Sequence, residues 1–93
     1  MPWPTTIGNL DDTAIRQLAN IVKTRAIAHR PKAIYVHADH DRDVFAVIES
    51  PALMFDPAHT PVGTYTNKAT TGEIAADLIC ARDEAMAAKR VSA

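Results

Sequence analysis

The residues of this chain best suited to chemistry lie in one short stretch, residues 37–43, which read His-Ala-Asp-His-Asp-Arg-Asp. Two imidazoles and three carboxylates are enough ligands for a divalent cation, and this donor set suits zinc, manganese or iron. Residues two apart on a strand share a face, so we expect His37 and Asp39 to point together. His40 needs a turn to bring it round. The candidate metal ligands are therefore His37, Asp39 and His40, with Asp56 and His59 available from a later loop.

The same stretch also fits an ordinary solvated turn. Its spacing matches neither a helix-borne histidine pair nor a calcium-binding loop, and aspartate is a common turn former. Residues 33–38 and 44–49 on either side are rich in β-branched and aromatic side chains, which indicates two strands of a hairpin. We predict an antiparallel β-hairpin with these polar residues at its tip. A metal-dependent enzyme or metal-binding module centred on residues 37–43 is kept as the second hypothesis.

No other pattern in the chain indicates catalysis or a cofactor. The three glycines, Gly8, Gly63 and Gly72, are scattered and form no phosphate-binding loop. The single cysteine, Cys80, excludes a disulfide within the chain and a cysteine-based zinc site. The sequence therefore predicts no cofactor, and it favours a protein that is not an enzyme.

The segment before the hairpin predicts a helix with Asn9 as its N-cap. The helix should end near Ala28, because Arg30 and Pro31 follow. Asp12 and Arg16 are spaced to pair on its surface. Apolar residues at helical spacing predict one buried stripe, made of Leu10, Ala14, Ile15, Leu18, Ile21 and Val22. Ile27 projects away from that stripe, so either the last turn is frayed or Ile27 is exposed.

A third strand and a second helix follow the hairpin. An isolated hairpin is marginally stable, and residues 61–66 are the best candidate for a third strand. Thr70 and Glu73 are spaced as a capping box, which predicts a helix from there to about Arg90. Its buried stripe is Ile74, Leu78, Ala81 and Ala85. A strip of small residues on its outer face, Ala76, Cys80 and Ala87, would permit close helix packing in a homodimer.

These elements predict a single small α+β domain over residues 1–93, in the order helix, antiparallel hairpin, third strand, helix (αβββα). The two helices should cover one face of the small sheet, and residues 1–8, with Pro2 and Pro4, should form an extended arm. The other sheet face is expected to carry Tyr35, Phe45, Val47 and Tyr65. That face is too apolar for water, so a loop, a second copy or another protein should cover it.

Charge and composition exclude several classes of partner. The formal net charge is −1, so the chain has no overall field that attracts nucleic acid or an anionic membrane. No apolar run approaches the roughly 18 residues that a membrane-spanning helix needs. The first residues lack the basic-then-apolar layout of a signal peptide, which favours the cytoplasm.

Three segments are candidate contacts for another protein. A basic cluster ends the first helix and comprises Lys23, Arg25, Arg30 and Lys32, with His29 among them; it also complements the negative end of the helix dipole. Leu53, Met54 and Phe55 form an apolar run in a loop, either as a plug on the sheet or as a recognition patch. Trp3, the only tryptophan, either folds back onto the core or anchors a partner.

The leading functional hypothesis is a small binding protein that regulates or inhibits a partner by occluding its surface. It rests on the lack of catalytic patterns and on the three candidate contacts. By analogy of size, such proteins are encoded by compact genomes such as those of phages, where they counter host defences. A nucleic-acid binder ranks third, because the basic cluster lacks interleaved aromatic residues and any known nucleic-acid motif.

Overall fold

The computed structural model describes residues 6–50 and 56–92, with side chains described as far as residue 88. It has two helices and a three-stranded antiparallel sheet in the order α-β-β-β-α, so the predicted small α+β fold is confirmed. A short 3₁₀ helix, Ile7–Asn9, precedes these elements. Their bounds are α1 Asp12–His29, β1 Ile34–Asp39, β2 Val44–Ile48, β3 His59–Tyr65 and α2 Thr71–Ser92.

The start of α1 differs from the prediction. Asp11, not Asn9, is the N-cap: its Oδ1 accepts a hydrogen bond from the backbone N–H of Ala14 at 2.8 Å. Asn9 instead ends the 3₁₀ helix, in which Ile7 is 1% exposed. Ile7 and Gly8 are therefore not part of an extended arm. Residues 1–5, which include Trp3, lie outside the described residues.

The predicted capping box of α2 is confirmed. The backbone N–H of Glu73 donates to the hydroxyl Oγ1 of Thr70 at 3.1 Å, and the N–H of Thr70 donates to Oε2 of Glu73 at 3.3 Å. These reciprocal bonds satisfy donors that a helix N-terminus leaves unpaired. They fix the point at which the chain turns from β3 back along the sheet.

The sheet has the strand order β2-β1-β3, so β1 is central and β2 and β3 are its edges. Both edge strands run antiparallel to β1. The pairing of β1 with β3 contains an irregularity: Val36 lies opposite Gly63, whereas His37 lies opposite Pro61. A bulge of this kind leaves one residue of β3 unpaired and changes the local twist.

The register of the sheet decides which side chains face the helices. Val36 lies opposite Val47, and directly opposed residues on antiparallel strands project to the same face. Phe45, Val47 and Tyr65 all belong to or pack against the core beneath the helices. The prediction that they share the outer face is therefore wrong, and of that set only Tyr35 lies there. The prediction combined the strands in the wrong register.

The outer face of the sheet carries a mixed set of side chains. Only His37 on this face is fully buried; the other members range from half-buried to exposed. The register assigns to this face Tyr35, His37 and Asp39 of β1, Val44, Ala46 and Ile48 of β2, and His59, Pro61 and Thr64 of β3.

The core lies between the sheet and the two helices. It contains Ile34 and Val36 of β1, Ile74 and Leu78 of α2, and a stripe of α1 made of Ile15, Ala19, Val22 and Ala26. Ile21, which was assigned to the buried stripe, is 43% exposed. The spacing i, i+4, i+7, i+11 of the observed stripe leaves Ile21 at its margin.

The length and apolar character of the helices decide whether they could span a membrane. Among the described residues, no helix combines the length and the apolar character needed to cross a bilayer.

Candidate functional site

A pair of histidines is the most unusual feature of the outer sheet face. His37 of β1 is 1% exposed and is the one polar or charged residue classed as buried among those described. Its ring meets the ring of His59 of β3 edge to face, with centroids 5.6 Å apart and an interplanar angle of 69°. Asp39 lies directly opposite His59, with its Oδ2 3.8 Å from His59 Nε2.

Burial and the neighbouring imidazole both keep His37 neutral. The pKa of His37 is lowered, first by burial, which penalises the charged ring, and then by the His59 ring. The Nδ1 atoms of His37 and His59 are buried without a hydrogen-bond partner. An unpaired buried polar atom costs stability, so this pair is a weak point of the outer sheet face.

The three candidate metal ligands do not come together. His37 and Asp39 share the outer face, as predicted, but His40 turns away and its Nε2 contacts Oγ1 of Thr60 at 2.6 Å. His59 takes the place beside His37 that sequence reasoning gave to His40. Within residues 6–50 and 56–92, no group of three or more His, Cys, Asp or Glu side chains is arranged to hold a metal ion.

The hairpin tip has the hydrogen bonds of a turn. Oδ1 of Asp39 accepts from the backbone N–H groups of Asp41 at 3.0 Å and Arg42 at 3.2 Å. Asp43 has a φ of 58°, in the left-handed region that Asp tolerates better than most residues. Its carbonyl accepts the N–H of Ile7 at 2.9 Å. These contacts support the interpretation of residues 39–43 as a turn that also anchors the N-terminal 3₁₀ helix.

The basic cluster divides into one internal and three external residues. The ammonium of Lys23 donates to the carbonyl oxygens of Asn67 at 2.6 Å and Ala69 at 2.5 Å. It therefore fastens α1 to the turn between β3 and α2. Arg25, Arg30 and Lys32 are exposed.

Two exposed isoleucines adjoin these three basic residues. Ile21 is 43% exposed and Ile27 is 49% exposed, although both lie inside the regular helix α1. Ile27 is thus exposed rather than part of a frayed turn. Ile21 precedes Arg25 by four residues, which makes the two side chains neighbours on α1. Ile27 lies near the end of α1, three residues before Arg30 and about 120° round the helix from Ile21. We call Ile21, Arg25, Ile27, Arg30 and Lys32 the α1 surface.

The other predicted contacts cannot be placed. Leu53, Met54 and Phe55 lie outside the described residues, as does Trp3.

A groove that no sequence pattern predicts runs between the edge strand β3 and helix α2. It consists of two adjoining cavities of about 360 Å³ and about 610 Å³. Asp77 lines both, and its Oδ2 accepts a 2.7 Å hydrogen bond from the Tyr65 hydroxyl. Burial and the Asp77 carboxylate raise the pKa of Tyr65, so its hydroxyl stays protonated and acts as a donor. We call this feature the β3–α2 groove.

No protein-family model, curated protein or solved structure matches this chain. Its function has to be inferred from its own side chains and their placement.

Proposed function

We propose that the chain is a small non-enzymatic protein-binding module that acts in the cytoplasm as a regulator or inhibitor, by occluding the surface of a partner protein. The observation that supports this most directly is the α1 surface. Two large apolar side chains stay nearly half exposed there, beside three exposed cations. Small proteins of compact genomes, such as those of phages, act in this way.

The chemistry of the α1 surface defines the partner. Covering an isoleucine contributes up to about 1.5–3 kcal/mol when its side chain becomes fully buried. Arginine is enriched at the energetic centres of protein interfaces, and cations around an apolar centre accelerate the encounter with an acidic surface. The expected partner surface therefore offers an apolar contact to each isoleucine, with carboxylates beside them.

A matched pair of charge reversals tests this proposal. Tagged protein is used to capture partners from a lysate, and the captured partner is then purified and titrated. The variant Arg25→Glu with Arg30→Glu should lose most of the capture, because it reverses the charge beside the isoleucines. The control Arg16→Glu with Arg42→Glu makes the same charge change at two exposed residues outside the α1 surface and should capture normally.

The isoleucines are tested separately. Ile21→Ser with Ile27→Ser removes both exposed apolar side chains and leaves every charge in place, so capture should again fall. Capture by this variant and by the Arg25, Arg30 variant at the level of the unmodified protein would contradict a role for the α1 surface.

A metal-dependent function has weaker support. Its favourable observation is that His37 and Asp39 share a face with the unpaired Nδ1 atoms of His37 and His59. Against it, His40 contacts Thr60 instead. A rise in melting temperature on adding zinc or manganese, lost in His37→Gln, would favour it over the binding module.

A further inference from the structure

The β3–α2 groove has an open backbone edge along one side. In the described sheet β3 pairs with β1 only, so its other edge carries backbone N–H and C=O groups without a strand partner. Helix α2 runs back along this edge, from Asp77 beside Tyr65 to Glu84 beside Thr60 and His40. An edge strand next to a helix is the arrangement in which proteins accept an added strand from an extended peptide.

The side chains that line the groove leave room for a second chain. On the helix side five of them are small: Ala76, Cys80, Ala81, Ala85 and Ala88. On the strand side Thr60, Pro61 and Thr64 are exposed. Small residues allow another backbone to approach the helix closely, and the methylene stems of long side chains can lie along such a surface.

The charge of the groove favours a basic occupant over an acidic one. Its lining includes three carboxylates, Glu73, Asp77 and Glu84, against one ammonium, Lys68. The Tyr65 hydroxyl bonds Oδ2 of Asp77, and Asp77 is exposed to solvent. A second copy of the chain paired edge to edge would bring its own carboxylates to this place, and facing like charges are unfavourable. A basic occupant neutralises them.

We propose that the β3–α2 groove binds an extended basic peptide segment, which adds as a strand to the free edge of β3 and places its cations against Glu73, Asp77 and Glu84. The first and last of these carboxylates are eleven helical steps apart, or about 16 Å at 1.5 Å per residue. An extended segment of about five residues covers that length. Pro61 offers no N–H, so pairing falls on residues 62–65. This site is separate from the α1 surface and does not depend on the proposed function.

Cys80 provides a direct test, because it is the sole cysteine, it is exposed, and it lines the groove. The probe is a capped pentapeptide of alternating lysine and valine, compared with the matching glutamate–valine peptide. The lysine peptide should slow alkylation of Cys80 in a saturable way, and the glutamate peptide should not. Amide hydrogen exchange within residues 62–65 should slow with the same concentration dependence, which charge attraction without strand pairing would not cause.

Variants locate the site. Glu84→Gln alone and Asp77→Asn with Glu84→Gln should weaken binding about two- to fivefold for each carboxylate removed, as expected for exposed ion pairs. Glu84→Gln leaves the Tyr65–Asp77 bond intact, so it remains informative if the double variant is destabilised. The control Asp41→Asn with Glu49→Gln makes the same charge change at exposed residues outside the groove.

Three results would overturn the proposal. They are protection of Cys80 by both peptides alike, no saturable protection by the lysine peptide, and protection that rises with protein concentration without any peptide. The last would identify a second copy as the occupant. Charge reversal at Arg25 and Arg30 should leave peptide protection unchanged, so failure of this site and failure of the α1 surface are separate outcomes.

Discussion

His37 is a polar residue in surroundings that do not satisfy its hydrogen-bonding groups. It is buried on a sheet face, its Nδ1 has no partner, and the neighbouring ring is another imidazole. Burial disfavours the charged form, so the ring of His37 is harder to protonate in the folded protein than in the unfolded chain. The charged and titratable groups that face it are His59 and Asp39.

We therefore predict that acid destabilises the protein through His37. An unfolded histidine titrates near pH 6.5, and the pKa of His37 in the folded protein is lower. Above that pH neither state binds the proton and this residue causes no pH dependence. Below it the unfolded state binds more protons, so the free energy of unfolding falls as the pH drops towards the folded pKa. Urea titrations from about pH 7.5 to about pH 5.5 measure this slope.

The variant His37→Phe keeps a flat ring and removes the titration, so its stability should fall less over the same pH range. His40→Gln is the matched control, because it removes a histidine classed as exposed. It should keep the acid slope of the unmodified protein. An unchanged slope in His37→Phe would assign the acid sensitivity to other groups.

The side chain of Tyr65 leaves no room for a Cβ atom at Gly63. A Cβ atom at Gly63 would lie 2.6 Å from Cζ of Tyr65 and would contact the hydroxyl oxygen as well. The Tyr65 side chain is buried and bonded to Asp77, so it has little freedom to move away. We predict that Gly63→Ala lowers the free energy of unfolding by about 1–3 kcal/mol, the usual effect of overpacking.

Gly72 supplies the control in the same chain. A Cβ there meets nothing nearer than Oγ1 of Thr70 at 3.9 Å. Since Gly72 lies in the first turn of α2 and alanine favours helix, Gly72→Ala should be neutral or slightly stabilising. Equal denaturation midpoints for the two alanine variants would contradict the role given to Tyr65.

At the scale of the elements, residue patterns within one segment predicted the helices and strands. They did not predict the register in which the strands pair. The capping box, the hairpin, the third strand and both helices follow from residue spacing within one segment, and each is confirmed. The side of the sheet on which Phe45, Val47 and Tyr65 lie was wrong. That assignment depends on register, and a shift of one residue moves every side chain of a strand to the opposite face. Short strands that are apolar on both sides, such as β2, contain no signal that fixes the register.

Contacts between elements far apart in the chain were also not predicted from the sequence. Asp12 was expected to pair with Arg16 on its own helix, but its Oδ1 accepts from Nη1 of Arg82 at 2.8 Å. The same nitrogen donates to the carbonyl of Leu10 at 3.0 Å, and Arg82 also bonds Asp83 at 3.1 Å. The Asp12 hydrogen bond is the main cause of a raised pKa at Arg82. Nothing in the spacing of residues 12 and 82 indicates this bond.

Arg82 therefore joins α2 to the start of α1. Its side chain is only 15% exposed, so its hydrogen bonds are partly sheltered from water. We predict that Arg82→Ala costs about 1–3 kcal/mol of unfolding free energy, typical for lost hydrogen bonds to a charged group. Arg82→Lys should recover only part of this, because an ammonium cannot reproduce the forked geometry. Arg16→Ala, at an exposed site on α1, should change stability by less than about 0.5 kcal/mol.

At the scale of the whole molecule, the correction of the sheet faces changes the case for self-association. The Cα radius of gyration is 12.9 Å, close to the roughly 12 Å expected for a compact chain of this length. A loop, a second copy or another protein was expected to cover the outer sheet face because four aromatic or aliphatic side chains were assigned there. Phe45, Val47 and Tyr65 are instead under the helices. These three side chains therefore no longer support a homodimer through the outer sheet face.

The remaining described surface is poorly suited to a stable dimer. Its exposed large apolar side chains are Ile21 and Ile27, whereas a standard interface buries about 800 Å² on each partner. The β3–α2 groove is acidic and repels a second copy. We predict a monomer at protein concentrations up to about 100 μM, since weaker contacts have dissociation constants above that range. Sedimentation equilibrium at increasing concentration measures it. A dimer lost in Ile21→Ser with Ile27→Ser would instead make the α1 surface a self-interface, and a second copy of the chain would then be the partner that this surface selects.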